Sequence, residues 1–149
     1  MRELYVIGSV EEVGDAILEI GRFYALDSSL GSNIAMDASK PHVILISGKR
    51  GYGKSYTMAV LVEELSNLKQ RLHEDISILM VDTLGIFWTL AIPNRREEEN
   101  LGNWSLKTKN FDITIYTSKR NISFYKSLGV NVKPLILKPS QFSLDQWYH

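Results

Sequence analysis

Residues 43 to 57 read VILISGKRGYGKSYT. Val43 to Ile46 are consecutive apolar residues, mostly β-branched, and predict a buried strand. They run into Gly48-Lys49-Arg50-Gly51-Tyr52-Gly53-Lys54-Ser55, which satisfies the phosphate-loop pattern G-x-x-x-x-G-K-[ST] at every position. A helix is predicted directly behind it, from Ser55 to Leu68. A glycine-rich turn that binds nothing has no need of a strand before it and a helix after it. The three together are the setting a phosphate loop requires.

The chemistry asks for these residue types at this spacing. Gly48, Gly51 and Gly53 can take backbone angles closed to other residues, so that successive N–H groups turn toward one centre. The helix adds the partial positive charge of its N-terminus. Lys54 is assigned to the β- and γ-phosphates, the Ser55 hydroxyl to Mg²⁺, and the amide or hydroxyl of Thr57 to the α-phosphate. Lys49 and Arg50 read first as solvated loop charges and second as phosphate or partner contacts. Tyr52 and Tyr56 flank the turn. For Tyr52, packing is the first expectation and stacking on a base the second. The expected nucleotide site is therefore Gly48, Lys49, Arg50, Gly51, Tyr52, Gly53, Lys54, Ser55, Tyr56 and Thr57, with ATP and Mg²⁺ as its ligands.

The rest of the chain sets limits. At 149 residues it suits one domain with a small appendage and can bury a core. No apolar run approaches the ~20 residues of a membrane span, and the start, MRELYVIGSVEEVGD, lacks the architecture of a signal peptide. The expectation is a cytoplasmic protein with no membrane partner. There is no cysteine, which excludes disulfides, thiolate metal sites and cysteine catalysis. Lysine plus arginine equal aspartate plus glutamate at 17 each. Their distribution is uneven: residues 1–40 balance to −4, residues 41–100 to −1, and residues 101–149 to +5. A basic final third fits contact with a polyanion such as DNA, or a surface countered by the acidic part before it.

Leu4 to Ile7 predicts a short strand. Ser9 to Glu12 has the form of a capping box, with Val13, Ile17 and Ile20 at helical spacing behind it, yet Ile17 to Leu26 also suits a strand. Asp27 to Lys40 reads as turns around a short strand at Asn33 to Met36. After the loop, Met58, Leu61, Val62, Leu65 and Leu68 line one face of a helix, and Glu63-Glu64 reads as its solvated side. Ile76 to Asp82 predicts a second buried strand. Residues 93 to 110 form a polar excursion. A third strand is expected at Phe111 to Thr117, a short helix at Ser118 to Ser127, and a last strand at Val132 to Leu137. Ser143 to Gln146 signals a helix start three residues before the chain stops, which suggests a fragment or an unusually short member of a longer kind.

Asp82, at the end of an apolar run, could alone hold Mg²⁺ as a Walker B aspartate. Its setting, Val81-Asp82-Thr83-Leu84-Gly85-Ile86-Phe87-Trp88, points elsewhere. With Pro41-His42-Val43 and Gly48 to Thr57, it resembles the HerA/FtsK superfamily of DNA-pumping ATPases, the HerA branch most closely. In that family a D-x-x-G-E-[YF] motif ends the strand after the phosphate-loop helix. Ile20-Gly21-Arg22 is similar to part of the family's N-terminal β-barrel. Ile136 to Ser140, with Phe142, Leu144, Asp145 and Trp147, resembles the segment after its third core strand.

The resemblance implies an α/β fold: a three-layer P-loop NTPase core of the RecA-like (ASCE) kind with a mainly parallel sheet, incomplete here. Residues 41–149 would form this first part of an ATPase domain, preceded by a small β-rich segment over 1–40. It implies Lys54 and Ser55 as nucleotide and metal residues, Asp82 as a core-motif acid near the site, DNA as partner, and a homo-oligomeric ring in a complete form. Two departures matter. Ile86 stands where the family commonly has Glu, and nothing after Asp82 supplies a hydrophobic strand ending in Asp-Glu. The leading reading is ATP binding, with hydrolysis coupled to DNA translocation or processing in a complete form. The alternatives are a non-catalytic nucleotide-binding regulatory module and a small P-loop kinase in which Asp82 holds the metal.

Overall fold

The computed structural model describes residues 4–8, 14–27, 29–72, 76–143 and 145. The chain divides into two compact units, Met1–Thr83 and Leu84–His149.

In the first unit, β1 (Leu4–Ile7), β2 (Ile17–Tyr24) and β3 (Leu30–Asp37) form one sheet in the order β1-β3-β2. β1 runs parallel to β3, and β2 antiparallel to it with Ile17 opposite Asp37. The ambiguity over Ile17 and Ile20 is thus resolved in favour of a strand, while the capping box at Ser9 to Glu12 lies outside the described residues. The short strand expected at Asn33 to Met36 is longer than its composition suggests and sits at the centre of the sheet. Gly31, Ser32 and Asn33 have weak strand preference, and pairing on both edges overrides it. The Asp27 carboxylate accepts bonds from Ser29, including its N–H at 3.0 Å, which hold the carboxyl below its ordinary pKa.

Helix α1 (Lys54–Leu72) begins one residue before the expected start and runs a turn further. Lys69 and Arg71 in its last turn favour the negative end of its dipole. Of its apolar face, Leu68 is buried, Leu61, Val62 and Leu65 are half-buried, and Met58 is exposed. The helix lies against β2, an edge strand whose outer backbone groups would otherwise be unpaired. Glu64 Oε2 accepts the Glu19 N–H at 3.3 Å, and Arg71 Nη2 donates to the Ile17 carbonyl at 2.6 Å. Glu64 is therefore not on a solvated face. It serves the edge of the sheet, with Asn67 Nδ2 donating to its other oxygen at 2.8 Å.

The two strands expected around the loop do not form. Residues 43–47 and 76–82 join no ladder among the described residues, and Val43, Leu45, Leu79 and Val81 are highly exposed. Exposure still alternates, since Ile46 and Met80 are half-buried, Ile44 is less exposed than Val43 and Leu45, and Ile78 less than Leu79. Strand periodicity is thus present without strand pairing, because a ladder needs partner backbones that no local sequence supplies.

The second unit carries a parallel pair. β4 (Ile115–Thr117) lies beside β5 (Val132–Pro134) with Ile115 opposite Val132, joined through α3 (Ile122–Ser127). Both strands are shorter than expected from Phe111 to Thr117 and Val132 to Leu137. Of the mainly parallel sheet expected over residues 41–149, this pair is what forms among the described residues. The polar excursion at 93–110 contains a 3₁₀ turn, Arg95–Glu97, and a short helix α2, Glu98–Asn103. Trp88 packs edge-on against Phe124 with ring centroids 6.5 Å apart, and Phe124 against Tyr125 at 5.2 Å. Of the helix start at Ser143 to Gln146, Asp145 is helical, while Leu144 and Gln146 lie outside the described residues.

Candidate functional site

The loop from Gly48 to Gly53 is bounded by the unpaired segment 43–47 and by α1. Gly51 has φ +87° and Gly53 has φ +78°, in the left-handed region that side chains with a Cβ resist. No heavy atom lies within 4 Å of a Cβ built on either residue. The demand for glycine is therefore conformational and not a matter of space. Gly53→Ala is expected to destabilise the chain by about 1–2 kcal/mol through that φ angle alone. Urea unfolding checks it, and an unchanged midpoint would show that the loop relaxes without strain.

The Tyr52 N–H bonds to the Lys49 carbonyl at 3.3 Å and closes the turn. The first helical bond at the loop end of α1 runs from the Thr57 N–H to the Gly53 carbonyl at 2.9 Å. The amides of Lys54, Ser55 and Tyr56 precede that bond and so have no acceptor within the helix. No acidic side chain occupies the first turn of α1, so nothing there offsets the positive end of the helix.

Lys54 is half-buried, and its Nζ donates to the Lys49 carbonyl at 2.8 Å. The ammonium is thus folded back onto its own loop, held by a neutral acceptor that a phosphate oxygen can displace. Ser55 is half-buried in the first helical turn. Thr57 is less available than its position suggests, because its Oγ1 also donates to the Gly53 carbonyl, at 3.2 Å. Lys49, Arg50, Tyr52 and Tyr56 are all exposed, so neither tyrosine has the packing role expected first for Tyr52. Asp82 lies in the same unit, half-buried and engaged in an interaction of its own.

Two shallow hollows lie elsewhere in the first unit. One is lined by Gly14, Asp15, Ile17, Arg71 and Leu72, and the other by Leu4, Tyr5, Phe23 and Ser32. Neither is lined by a residue of the loop. Glu64 and Arg71, which tie α1 to β2, were not legible as site-building residues. Their partners are backbone atoms more than 40 positions away, at Glu19 and Ile17. No helix among the described residues is long and apolar enough to cross a membrane.

A family model described as the central domain of the helicase HerA matches residues 18–147. No curated protein and no solved structure matches the chain significantly.

Proposed function

The chain belongs to the HerA central-domain family, and on that premise we propose that its loop Gly48–Thr57 binds ATP together with Mg²⁺. The observation that carries this reading is the combination at the start of α1: two left-handed glycines, three helical amides without intrahelical acceptors, and the Lys54 ammonium 2.8 Å from a loop carbonyl. These groups fit a polyphosphate. Lys54 exchanges the Lys49 carbonyl for β- and γ-phosphate oxygens, a stronger charge-assisted pairing. The amides cradle the same phosphates. The Ser55 hydroxyl would hold Mg²⁺, which when bound offsets phosphate charge, and Asp82 would act as an acid beside the site.

Thr57 reaches the α-phosphate once its hydroxyl rotates off the Gly53 carbonyl. The exposed Tyr52 ring offers a stacking surface to the base, and Lys49 and Arg50 add positive charge at the mouth. In a complete form of the protein, we read the activity as ATP hydrolysis coupled to movement on, or processing of, DNA by a ring of identical subunits. The basic balance of residues 101–149 supports the polyanion partner. Turnover requires a carboxylate that orients water. Ile86, apolar and exposed, occupies the position where the resemblance implies Glu. That observation favours a second reading, a nucleotide-binding module without turnover. The kinase reading has less support: it calls for an arginine-rich lid over the phosphates, and its candidates, Arg95 and Arg96, share their turn with Glu97.

Titration with a fluorescent ATP analogue, with and without Mg²⁺, tests the proposal alongside a phosphate-release assay. Saturable, Mg²⁺-enhanced binding in the micromolar range is expected, with no release above the buffer rate from this chain alone. Absence of saturable binding at millimolar nucleotide would overturn the assignment. Release that depends on Lys54 would instead remove the module reading.

A further inference from the structure

We infer that His42 is a positioning residue for the phosphate loop, through which the N-terminal sheet fixes the approach of the chain to Gly48. The inference rests on the reading of Gly48–Thr57 as a nucleotide site and extends it to how that site is regulated.

The geometry begins at the ends of two strands. β1 stops at Ile7, and Gly8 follows with φ +86°. A Cβ at Gly8 would fall 2.8 Å from His42 Cε1 and within 3.5 Å of both ring nitrogens. The imidazole corner therefore rests where only glycine leaves room. Next to that corner, His42 Nε2–H donates to the carbonyl of Asp37, the last residue of β3. Asp37 is buried, and its carboxylate accepts the Ser39 N–H at 2.9 Å and the Ser39 hydroxyl at 2.6 Å. The Ala38 N–H bonds to the Ala16 carbonyl at 2.7 Å, which ties the same turn to the residue before β2. The turn after β3 is thus held at several points, and His42 joins the outgoing chain to it.

Beyond His42 the restraints cease. Residues 43–47 make no hydrogen bond among the described residues and join no ladder. His42 is thus the last fixed point before Gly48, with α1 fixing the far side. A short unpaired segment takes its position from its two anchors. Loosening one widens the range of loop conformations, and nucleotide binding must then order more of the chain. The coupling is reciprocal: whatever lifts His42 from Gly8 and Asp37 at the sheet weakens nucleotide binding, and bound nucleotide resists the lifting to the same degree.

The experiment uses His42→Ala, His42→Gln and Gly8→Ala. Without nucleotide, trypsin cleavage after Lys49 and Arg50 should rise in His42→Ala, on the order of fivefold, as expected for one lost hydrogen bond. Cleavage after Lys69 and Arg71 in α1 should not change. Gln keeps an N–H donor and should restore the parent rate. Gly8→Ala should raise loop cleavage by displacing the ring, and should add nothing when combined with His42→Ala. Affinity for the fluorescent ATP analogue should fall by a similar factor in His42→Ala and recover in His42→Gln. Equal loop cleavage in all variants overturns the inference, as does a Gln variant that behaves like Ala, or a rise that includes the α1 sites. If the parent chain binds no ATP, the nucleotide reading fails while the cleavage results still decide whether His42 positions the loop. If the parent binds, Lys54→Ala does not, and His42→Ala binds as the parent does, the role of His42 alone fails.

Discussion

Lys54→Ala should abolish the stabilisation that Mg-ATP confers on this chain while leaving its unfolding without nucleotide nearly unchanged. A ligand at about a hundred times its dissociation constant stabilises a folded chain by ~2.7 kcal/mol, or roughly 5–10 °C for a domain of this size. The ammonium makes one loop bond, to the Lys49 carbonyl at 2.8 Å, and a bond of that kind contributes about 0.5–1.5 kcal/mol net. Its removal should lower the midpoint without ligand by no more than a few degrees. The two effects separate cleanly in thermal unfolding followed with and without excess Mg-ATP. If the variant shifts as far as the parent, Lys54 holds no phosphate and the loop assignment is wrong.

Leu18→Ala should produce the largest loss of intrinsic stability among single side-chain truncations in the first unit. Leu18 lies on β2, the strand that α1 packs against, and is 1% exposed. A buried leucine cut to alanine costs the transfer of its lost methyl groups plus the cavity left behind, about 3–5 kcal/mol. For a domain of this size that lowers the thermal midpoint by roughly 6–20 °C. Leu26, which is 109% exposed, is the matched control, and its truncation should change stability by less than ~0.5 kcal/mol. The site is coupled to this core, because α1 carries both Leu68 and the Lys54 end of the loop. Excess Mg-ATP should therefore raise the lowered midpoint of Leu18→Ala by about the same free-energy increment as in the parent, provided the truncation leaves the loop end of α1 in place. A Leu18→Ala chain as stable as the Leu26→Ala control would show that the β2–α1 contact is not where this unit is held together.

The strands illustrate where reading the chain stops. Val43 to Ile46 and Ile76 to Val81 have the apolar, β-branched composition of strands, and their exposure alternates along the chain. Pairing does not follow from either, since a ladder is a property of two backbones and only one is written in any local stretch. β3 is the opposite case. Its Gly31-Ser32-Asn33 start argues for turns, and it became the central strand because β1 and β2 both pair with it. Glu64 shows the same rule for side chains: its position beside Glu63 on a long helix suggests solvent, and its partner is the Glu19 N–H, 45 residues earlier.

The sequence by itself determined the glycine-rich loop, the helix behind it and the family. Each is carried by residues adjacent in the chain, whose backbone preferences and charges act locally. Glycines take left-handed angles, Lys54 follows them, and a helix starts at once. Tertiary structure alone decided what that helix rests on, which strand is central, which apolar runs stay unpaired, and that His42 grips Gly8 and Asp37. Those outcomes depend on contacts between residues far apart in the chain. Such contacts form only where burial and paired hydrogen bonds outweigh the entropy of bringing the partners together.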